Sequence, residues 1–231
     1  SHAEHYGTTR SQVTSVIKKN KNAGEKNSLA QLPNAGANII PETYKMIASP
    51  LTLIDCCPIS DGATAILIAN PKITRSSVKV INISSSVQTS GGSNIADRDV
   101  LHSFPATQKA GYFAMKEARI SFSDLSLVEL HDCFSIAEIL NIEDLGLIPS
   151  GEAASWCVEG RTKTDGDLPV NPSGGLLSKG HPVGATGLGQ IYEACKQLRA
   201  EHENQVKGAK TALTHNLGGC GIACTVNVLE I

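Results

Sequence analysis

A glycine-rich stretch around His181 contains the residue whose type and setting first suggest chemistry. Residues 171–189 include six glycines, so the backbone there can turn tightly and approach a ligand closely. Pro182 follows the histidine and suits the first position of a helix. At the positive end of a helix the protonated imidazole is disfavoured, and the neutral ring can donate an N–H hydrogen bond. We therefore predict a neutral donor at His181; the alternative is an incidental histidine at the start of a helix.

A second cluster places an imidazole, a carboxylate and a thiol side by side at His131, Asp132 and Cys133. Side chains of these types supply the acid, the base or the nucleophile of many enzymes. Consecutive residues of a loop can point in different directions, and free cysteine is among the most buried residue types, so a structural role for Cys133 and Phe134 stays open. A metal site made of the two histidines and this thiol would have too few ligands, so we expect no metal.

A third segment, residues 216–221, reads Asn-Leu-Gly-Gly-Cys-Gly. It is either a tight turn or a backbone whose N–H groups are presented to an oxyanion, which is a valuable arrangement for acyl transfer.

The elements that must position these residues alternate between strands and helices. Helices are predicted at 10–21, 104–119, 135–145 and 185–203, and strands at 78–84, 126–130, 210–215 and 222–229. The apolar run at 61–69, which has almost no charge, predicts a further strand, buried in a sheet that is covered on both faces. The polar residues at 18–26 predict the solvated end of the first helix. This alternation predicts a layered α/β fold, in which catalytic groups gather where strands end and helices begin.

Composition excludes several classes of function. The chain has 231 residues and a net charge of −2, which gives no electrostatic reason to bind nucleic acid or an anionic membrane. No apolar run is long enough to span a bilayer, and the first residues do not resemble a signal peptide. Seven cysteines without a C-x-x-C pair indicate reduced thiols. We expect an intracellular, cytoplasmic protein, or a peroxisomal or mitochondrial one in a eukaryote, although residues 228–231 carry no peroxisomal address.

Taken together, these motifs resemble the thiolase superfamily, and within it the sterol-carrier-protein type. The resemblance is carried by residues 131–134, by the loop 174–187 and by residues 216–218, and the two histidines lie 50 positions apart. Residues 55–63 resemble the Asp-Gly-Ala element that closes the N-terminal half of the family, and residues 6–12 resemble the end of the loop region inserted in that half.

The resemblance implies a thiolase-like layered αβαβα architecture in which the C-terminal half is complete and the N-terminal half only partly present. Residues 1–75 would be the end of the N-terminal half with a remnant of its loop region. Residues 76–231 would be the thiolase C-terminal domain.

The resemblance also implies chemistry on coenzyme A thioesters: thiolysis of a 3-oxoacyl-CoA or the reverse Claisen condensation, with CoA as a substrate and no other cofactor. His181 would donate to a thioester oxygen and help to activate the nucleophile. His131 stands where most thiolases carry an asparagine that holds a water. Cys133 would move the α-proton, because the terminal Cys-x-Gly turn that usually supplies this thiol reads Asn216-Leu-Gly218 here. The N–H of Gly218 would serve a second oxyanion hole.

Further residues are expected to line the substrate: Gly180, Gly184 and Phe134. Cys220, between two glycines, is the competing candidate for the acid/base thiol. Cys56 and Cys57 are interpreted as core thiols.

The family's nucleophilic cysteine would lie upstream of Tyr6, where this sequence has no cysteine. We therefore expect a C-terminal portion of an acyltransferase that is inactive alone. Its partners would be acyl-CoA, CoA, and either the missing segment or a second copy in a homo-oligomer. The alternative is a thiolase-like, non-catalytic protein that binds CoA esters or lipids, or acts as a scaffold. Acyl chain length and reaction direction are not predicted.

Overall fold

Seven α-helices, five short 3-10 helices and six strands make up the regular structure of the computed structural model, which describes residues 1–32, 39–73, 79–92 and 94–231. The helices are α1 (His2–Tyr6), α2 (Arg10–Gly24), α3 (Pro105–Ala118), α4 (Ser135–Asp144), α5 (Ala153–Glu159), α6 (Gly175–Lys179) and α7 (Thr186–Arg199). The strands are β1 (Met46–Ala48), β2 (Leu51–Thr52), β3 (Asn82–Ser90), β4 (Leu127–Glu129), β5 (Thr211–Gly218) and β6 (Ala223–Glu230).

A four-stranded sheet in the order β3-β6-β5-β4 forms the centre of the molecule. β6 runs antiparallel to both of its neighbours, and β4 runs parallel to β5. The tight connection from β5 to β6 relies on Gly219 and Gly221, whose φ angles of 52° and 88° favour glycine. Because parallel strands end at the same edge of a sheet, the residues that follow β4 are brought beside the end of β5.

Helices cover both faces of this sheet, and successive strand residues alternate between them. One face packs against α7 through Leu127, Ala212, Leu229, Ala194 and Leu198. The other face packs against α3 through Val128, Leu213, Val226, Val228 and the small side chains Ala106, Ala110 and Ala114. The predicted α/β fold is confirmed.

Helix α2 packs on α4, α5 and α6, so residues near the start of the chain share a core with the later elements. A capping box begins the helix: Gln12 N donates to Thr9 Oγ1 at 3.3 Å, and Thr9 N donates to Gln12 Oε1 at 2.8 Å. The predicted solvated end of this helix is wrong for Lys19, Asn20 and Lys21, which are buried, whereas residues 22, 25 and 26 are exposed. The buried charges and amides are compensated inside the protein: Lys19 Nζ lies 3.0 Å from a carboxylate oxygen of Glu138.

The predicted strand at 61–69 is also wrong. These residues adopt neither helix nor strand, and Leu67 and Ile68 are 92 % and 78 % exposed. A strand is stable only where a neighbouring strand satisfies its N–H and C=O groups, and none of the described strands pairs with this stretch. We refer to residues 61–70 as the unpaired apolar stretch.

Other boundaries differ in detail from the sequence-based expectations. The strand predicted at 78–84 is observed as Asn82–Ser90, and residue 78 lies outside the described residues. The strand predicted at 210–215 continues to Gly218, so Asn216 lies on β5 and not in a turn. The short helices α5 and α6 were not predicted, because five to seven residues give too little periodicity. Within the described ranges, no helix combines the length and the apolar character needed to cross a bilayer.

Candidate active site

The parallel pairing of β4 with β5 brings two of the predicted site residues together. Glu129 at the end of β4 lies opposite Thr214 on β5, so the residues that follow each of them are neighbours at one sheet edge. There the Asn216 side-chain amide donates to His131 Nδ1 at 3.3 Å. The same amide is oriented by Gln190 Oε1 at 3.2 Å. Because His131 Nδ1 accepts, the neutral ring carries its hydrogen on Nε2.

The loop that follows α6 places His181 against His131. The two ring centroids are 4.9 Å apart and the ring planes are nearly perpendicular, at 84°. Gly187, in the first turn of α7, adjoins the Asn216 side chain, so the helix that follows the loop of His181 is also close to β5. The two predicted histidines therefore converge, as the motifs required.

Residues 56–60, part of the segment that resembles the family's Asp-Gly-Ala element, connect the two histidine loops. Cys57 N donates to the carbonyl oxygen of Cys133 at 3.0 Å, and the His181 N–H donates to Pro58 O at 3.1 Å. Cys56 pairs with Phe134 in an isolated antiparallel bridge. The interpretation of Cys56 and Cys57 as core thiols is wrong: both are half-buried and lie beside the candidate site. Their position depends on tertiary pairing, which no local pattern reveals.

Both histidines are held neutral, mainly by burial. Burial, together with the neighbouring His181, lowers the pKa of His131 to about 4, and burial lowers the pKa of His181 below its usual value. The sequence predicted that a helix N-terminus directly after His181 keeps this imidazole neutral, and that prediction is wrong. Helix α7 begins only at Thr186, because residues 182–185 form a turn in which Pro182 O accepts the N–H of Ala185 at 2.8 Å.

Cys133 lies half-buried between a fully buried aspartate and the 42 % exposed Phe134. Burial raises the pKa of the Cys133 thiol to about 12, with further contributions from Cys57 and Asp132. The thiol is therefore protonated at physiological pH. A protonated thiol is suited to give a proton to a carbanion and to take it back.

Asp132 is the polar residue that the sequence analysis left without a role. Its buried carboxylate accepts the N–H of Leu176 at 2.6 Å, the N–H of Leu177 at 3.3 Å, and the Asn20 amide at 2.8 Å. Burial, followed by the charge of Glu138, raises its pKa to about 7. Asp132 thus fastens the loop of His131 and Cys133 to α6, which leads to His181. Gly175 permits this approach, since a Cβ there would overlap the carboxylate.

The remaining predicted residues differ in their surroundings. Gly180 is buried with φ +103°, and a Cβ there would overlap Ser60 Oγ. Gly184 is exposed beside open space, and Gly218 is exposed at the end of β5. Cys220 is exposed in the turn beyond β5. Nowhere in the described part of the chain do three or more His, Cys, Asp or Glu residues form a group suited to a metal ion.

Comparison with known proteins identifies the family to which the chain is similar. The family described as thiolase C-terminal domain-like matches residues 87–231. An acetyl-CoA acetyltransferase of Methanothermobacter thermautotrophicus is 42 % identical over 99 % of this chain and 60 % of its own length. Human sterol carrier protein 2 is 36 % identical over 94 % of this chain and 41 % of its own length. This chain thus spans well under two thirds of the length of either relative.

Solved structures agree on the fold. The structure described as an Ltp2-ChsH2(DUF35) aldolase superimposes with a TM-score of 0.84 over 99 % of this chain and 60 % of that chain, at 21 % identity. A similarity at this level of identity concerns the fold alone. Because the family match covers more than half of the sequence, the chain belongs to the thiolase C-terminal domain-like family.

Proposed function

We propose that this chain supplies the proton-transfer and oxyanion-binding part of an acyl-CoA acyltransferase of the thiolase type. The observation that carries the proposal is the juxtaposition of two neutral imidazoles, 4.9 Å apart, with the protonated thiol of Cys133 two residues along the chain from one of them. Neutral ring N–H groups stabilise a developing enolate oxygen without a proton transfer of their own. A thiol beside them can protonate the enolate carbon.

In thiolysis, a nucleophilic thiolate adds to the C3 carbonyl of a 3-oxoacyl-CoA. The C2–C3 bond then breaks, which leaves the shortened acyl group on the nucleophile and an acetyl-CoA enolate. His131 and His181 hold the enolate oxygen, and Cys133 transfers its proton to C2. The Cys133 thiolate next takes the proton of an incoming CoA thiol, whose sulfur attacks the acyl group and releases the nucleophile. The reverse sequence is the Claisen condensation.

The nucleophile itself is assigned to a part of the enzyme outside these 231 residues. Cys133 has the role of proton donor and acceptor. The thiols of Cys56 and Cys57 are protonated because burial raises their pKa values, that of Cys57 to about 11. The surface next to the site supports this assignment. Ile59, which pairs with His181 in an isolated bridge, is fully exposed, and Val183, two residues after His181, is 79 % exposed. Such apolar surface marks a face that another segment or chain covers in the assembled enzyme.

The competing function is that of a CoA-ester or lipid-binding protein without turnover. One relative is named sterol carrier protein 2, which supports this alternative. A binding protein has no use for a buried proton donor at Cys133, so the arrangement of the site favours catalysis.

The test is thiolysis of acetoacetyl-CoA by the full-length protein with saturating CoA. We expect Cys133→Ala to lower kcat at least about 100-fold, the size of a lost general acid–base step. Cys220→Ala, the matched control, should keep near-normal activity. Tight binding of acetoacetyl-CoA without turnover by the unaltered protein would favour the binding function. Full activity of the 231-residue chain as a folded monomer would place the nucleophile inside it and overturn the proposal.

A further inference from the structure

Gln190, on α7, is linked to the candidate site through its side-chain amide. Gln190 Nε2 donates to the backbone carbonyl oxygen of His215 on β5 at 2.9 Å. On the other side of the same amide, Gln190 Oε1 accepts from Asn216 Nδ2 at 3.2 Å. The residue is 3 % exposed, so water does not compete freely for either position. The Gln190 amide thus holds two consecutive residues of β5, one by its backbone and one by its side chain.

The direction of each hydrogen bond follows from groups that have only one role. A backbone carbonyl oxygen can only accept, so the Gln190 amide must turn its NH2 towards the carbonyl oxygen of His215. The amide oxygen of Gln190 then faces Asn216, and only the NH2 of Asn216 can donate to that oxygen. The second hydrogen of this NH2 is directed at His131 Nδ1, which lies 3.3 Å from Asn216 Nδ2. Since an amide NH2 does not accept, Nδ1 must be the acceptor.

We propose that Gln190 is a positioning residue that sets the tautomer of His131 by fixing the orientation of the Asn216 amide. If the Asn216 amide were rotated by half a turn, its oxygen would face His131 Nδ1 and select the ring hydrogen on that nitrogen. The rotated amide would also bring the side-chain oxygens of Asn216 and Gln190 against each other. Gln190 cannot relieve this repulsion by rotating its own amide, because its oxygen would then face the carbonyl oxygen of His215. The hydrogen of His131 is therefore held on Nε2.

The use of this donor rests on the proposed function, whereas the tautomer itself does not. In thiolysis, the Nε2–H of His131 would donate to the developing enolate oxygen. The opposite tautomer would present the lone pair of Nε2 to the same oxygen and repel it. Loss of the Gln190 contacts should therefore lower kcat and leave KM nearly unchanged, because the hydrogen bond strengthens only as negative charge develops on the oxygen.

The inference is tested by nitrogen NMR of the full-length protein labelled with 15N-histidine. The signals of His131 are identified by their loss in His131→Gln. At neutral pH we expect Nδ1 to resonate as an unprotonated acceptor and Nε2 as a protonated nitrogen. Gln190→Met, which keeps the length of the side chain without its hydrogen bonds, should raise the population of the Nδ1–H tautomer. It should also lower kcat about tenfold, the effect of one lost hydrogen bond.

Gln197 provides the matched control on the same helix. Its buried amide donates to the carbonyl oxygen of Asn204 at 2.9 Å and accepts the N–H of Val206 at 2.8 Å, and neither partner is a site residue. Gln197→Met should therefore destabilise the protein as Gln190→Met does, while the His131 signals and kcat stay near normal. This pair of variants separates a role in positioning from a role in stability alone.

A predominant Nδ1–H tautomer in the unaltered protein would overturn the inference, and so would an unchanged tautomer in a folded Gln190→Met protein or an equal shift in Gln197→Met. If Gln190→Met does not fold, Asn216→Asp decides the question. Its carboxylate can only accept, so a hydrogen should appear on His131 Nδ1, and an Nδ1 that stays unprotonated would overturn the inference. If the full-length protein shows the expected tautomers but no acyl transfer, the proposed function fails while the role of Gln190 stands.

Discussion

Two apolar stretches of this chain have opposite surroundings. Residues 211–215 of β5 are all buried, because β4 and β6 pair with this strand on both sides and α7 packs over it. The unpaired apolar stretch at 61–70 also carries almost no charge, yet most of its residues are exposed. The difference lies in the neighbours, since none of the described strands pairs with 61–70. An apolar pattern specifies a buried strand only where the chain also supplies the partners.

The same contrast divides the candidate site. Its inner side consists of His131, Asp132 and Asn216, which are fixed by hydrogen bonds at the edge of the sheet. Its outer side consists of exposed groups such as Val183 and Gly218. The inner side is preorganised by this chain, and we interpret the outer side as the part that is completed by the rest of the enzyme.

The largest expected effect is a difference in the loss of stability between substitutions in the two apolar stretches. Leu213→Ala removes a fully buried side chain from β5 and should lower the free energy of unfolding by about 2–5 kcal/mol. Leu67→Ala, in the unpaired apolar stretch, should change it by less than about 0.5 kcal/mol in this chain. Denaturant unfolding of both variants measures the difference. Equal losses would show that residues 61–70 are packed after all.

Acid should destabilise the inner side of the site. Burial lowers the pKa of His131 to about 4 and that of His215 to about 3, whereas both are near 6.5 when unfolded. As the pH falls from 6.5 to 4, these two histidines take up protons in the unfolded chain but stay neutral in the folded chain. Each group therefore removes roughly 1.4 kcal/mol of stability per pH unit.

His215→Gln isolates one of these contributions. Over this pH range, its free energy of unfolding should depend less steeply on pH than that of the unaltered protein, by the amount expected for one proton. Unfolding curves at several pH values provide the comparison. Identical slopes in the two proteins would mean that His215 titrates normally in the folded state.

The contribution of Asp132 to stability should change with pH in the opposite direction. Its folded pKa of about 7 exceeds the ordinary value of 3.8, so its contribution to stability is present at low pH and is lost as the pH rises from 3.8 to 7. Asp132→Asn should abolish this loss. It should also cost about 1–3 kcal/mol, because the new amide would point a donor at Leu177 N–H or at Asn20. Unchanged stability and activity would contradict the role of Asp132 in joining the two loops.

Sequence reasoning identified most of the elements and the residues that converge on the site. Helices α2, α3, α4 and α7 have periodic apolar faces, and the His131 and His181 motifs are distinctive enough to be recognised locally. Two things could not be predicted, since both depend on contacts distant in sequence. The first is the position of residues 56–60 between the two histidine loops. It depends on backbone hydrogen bonds from Cys57 to Cys133 and from His181 to Pro58. The second is the cause of the neutral histidines, which is burial and not a helix terminus.

Exchange of the α-protons of acetyl-CoA in D2O tests the central claim most directly, because it reports proton transfer at C2 without the carbon–carbon bond step. With the full-length protein, we expect deuterium to enter the α-position, and Cys133→Ala to slow this exchange at least about 100-fold while Cys220→Ala leaves it near normal. Undiminished exchange in Cys133→Ala would show that another group moves the proton and would contradict the assignment of this site.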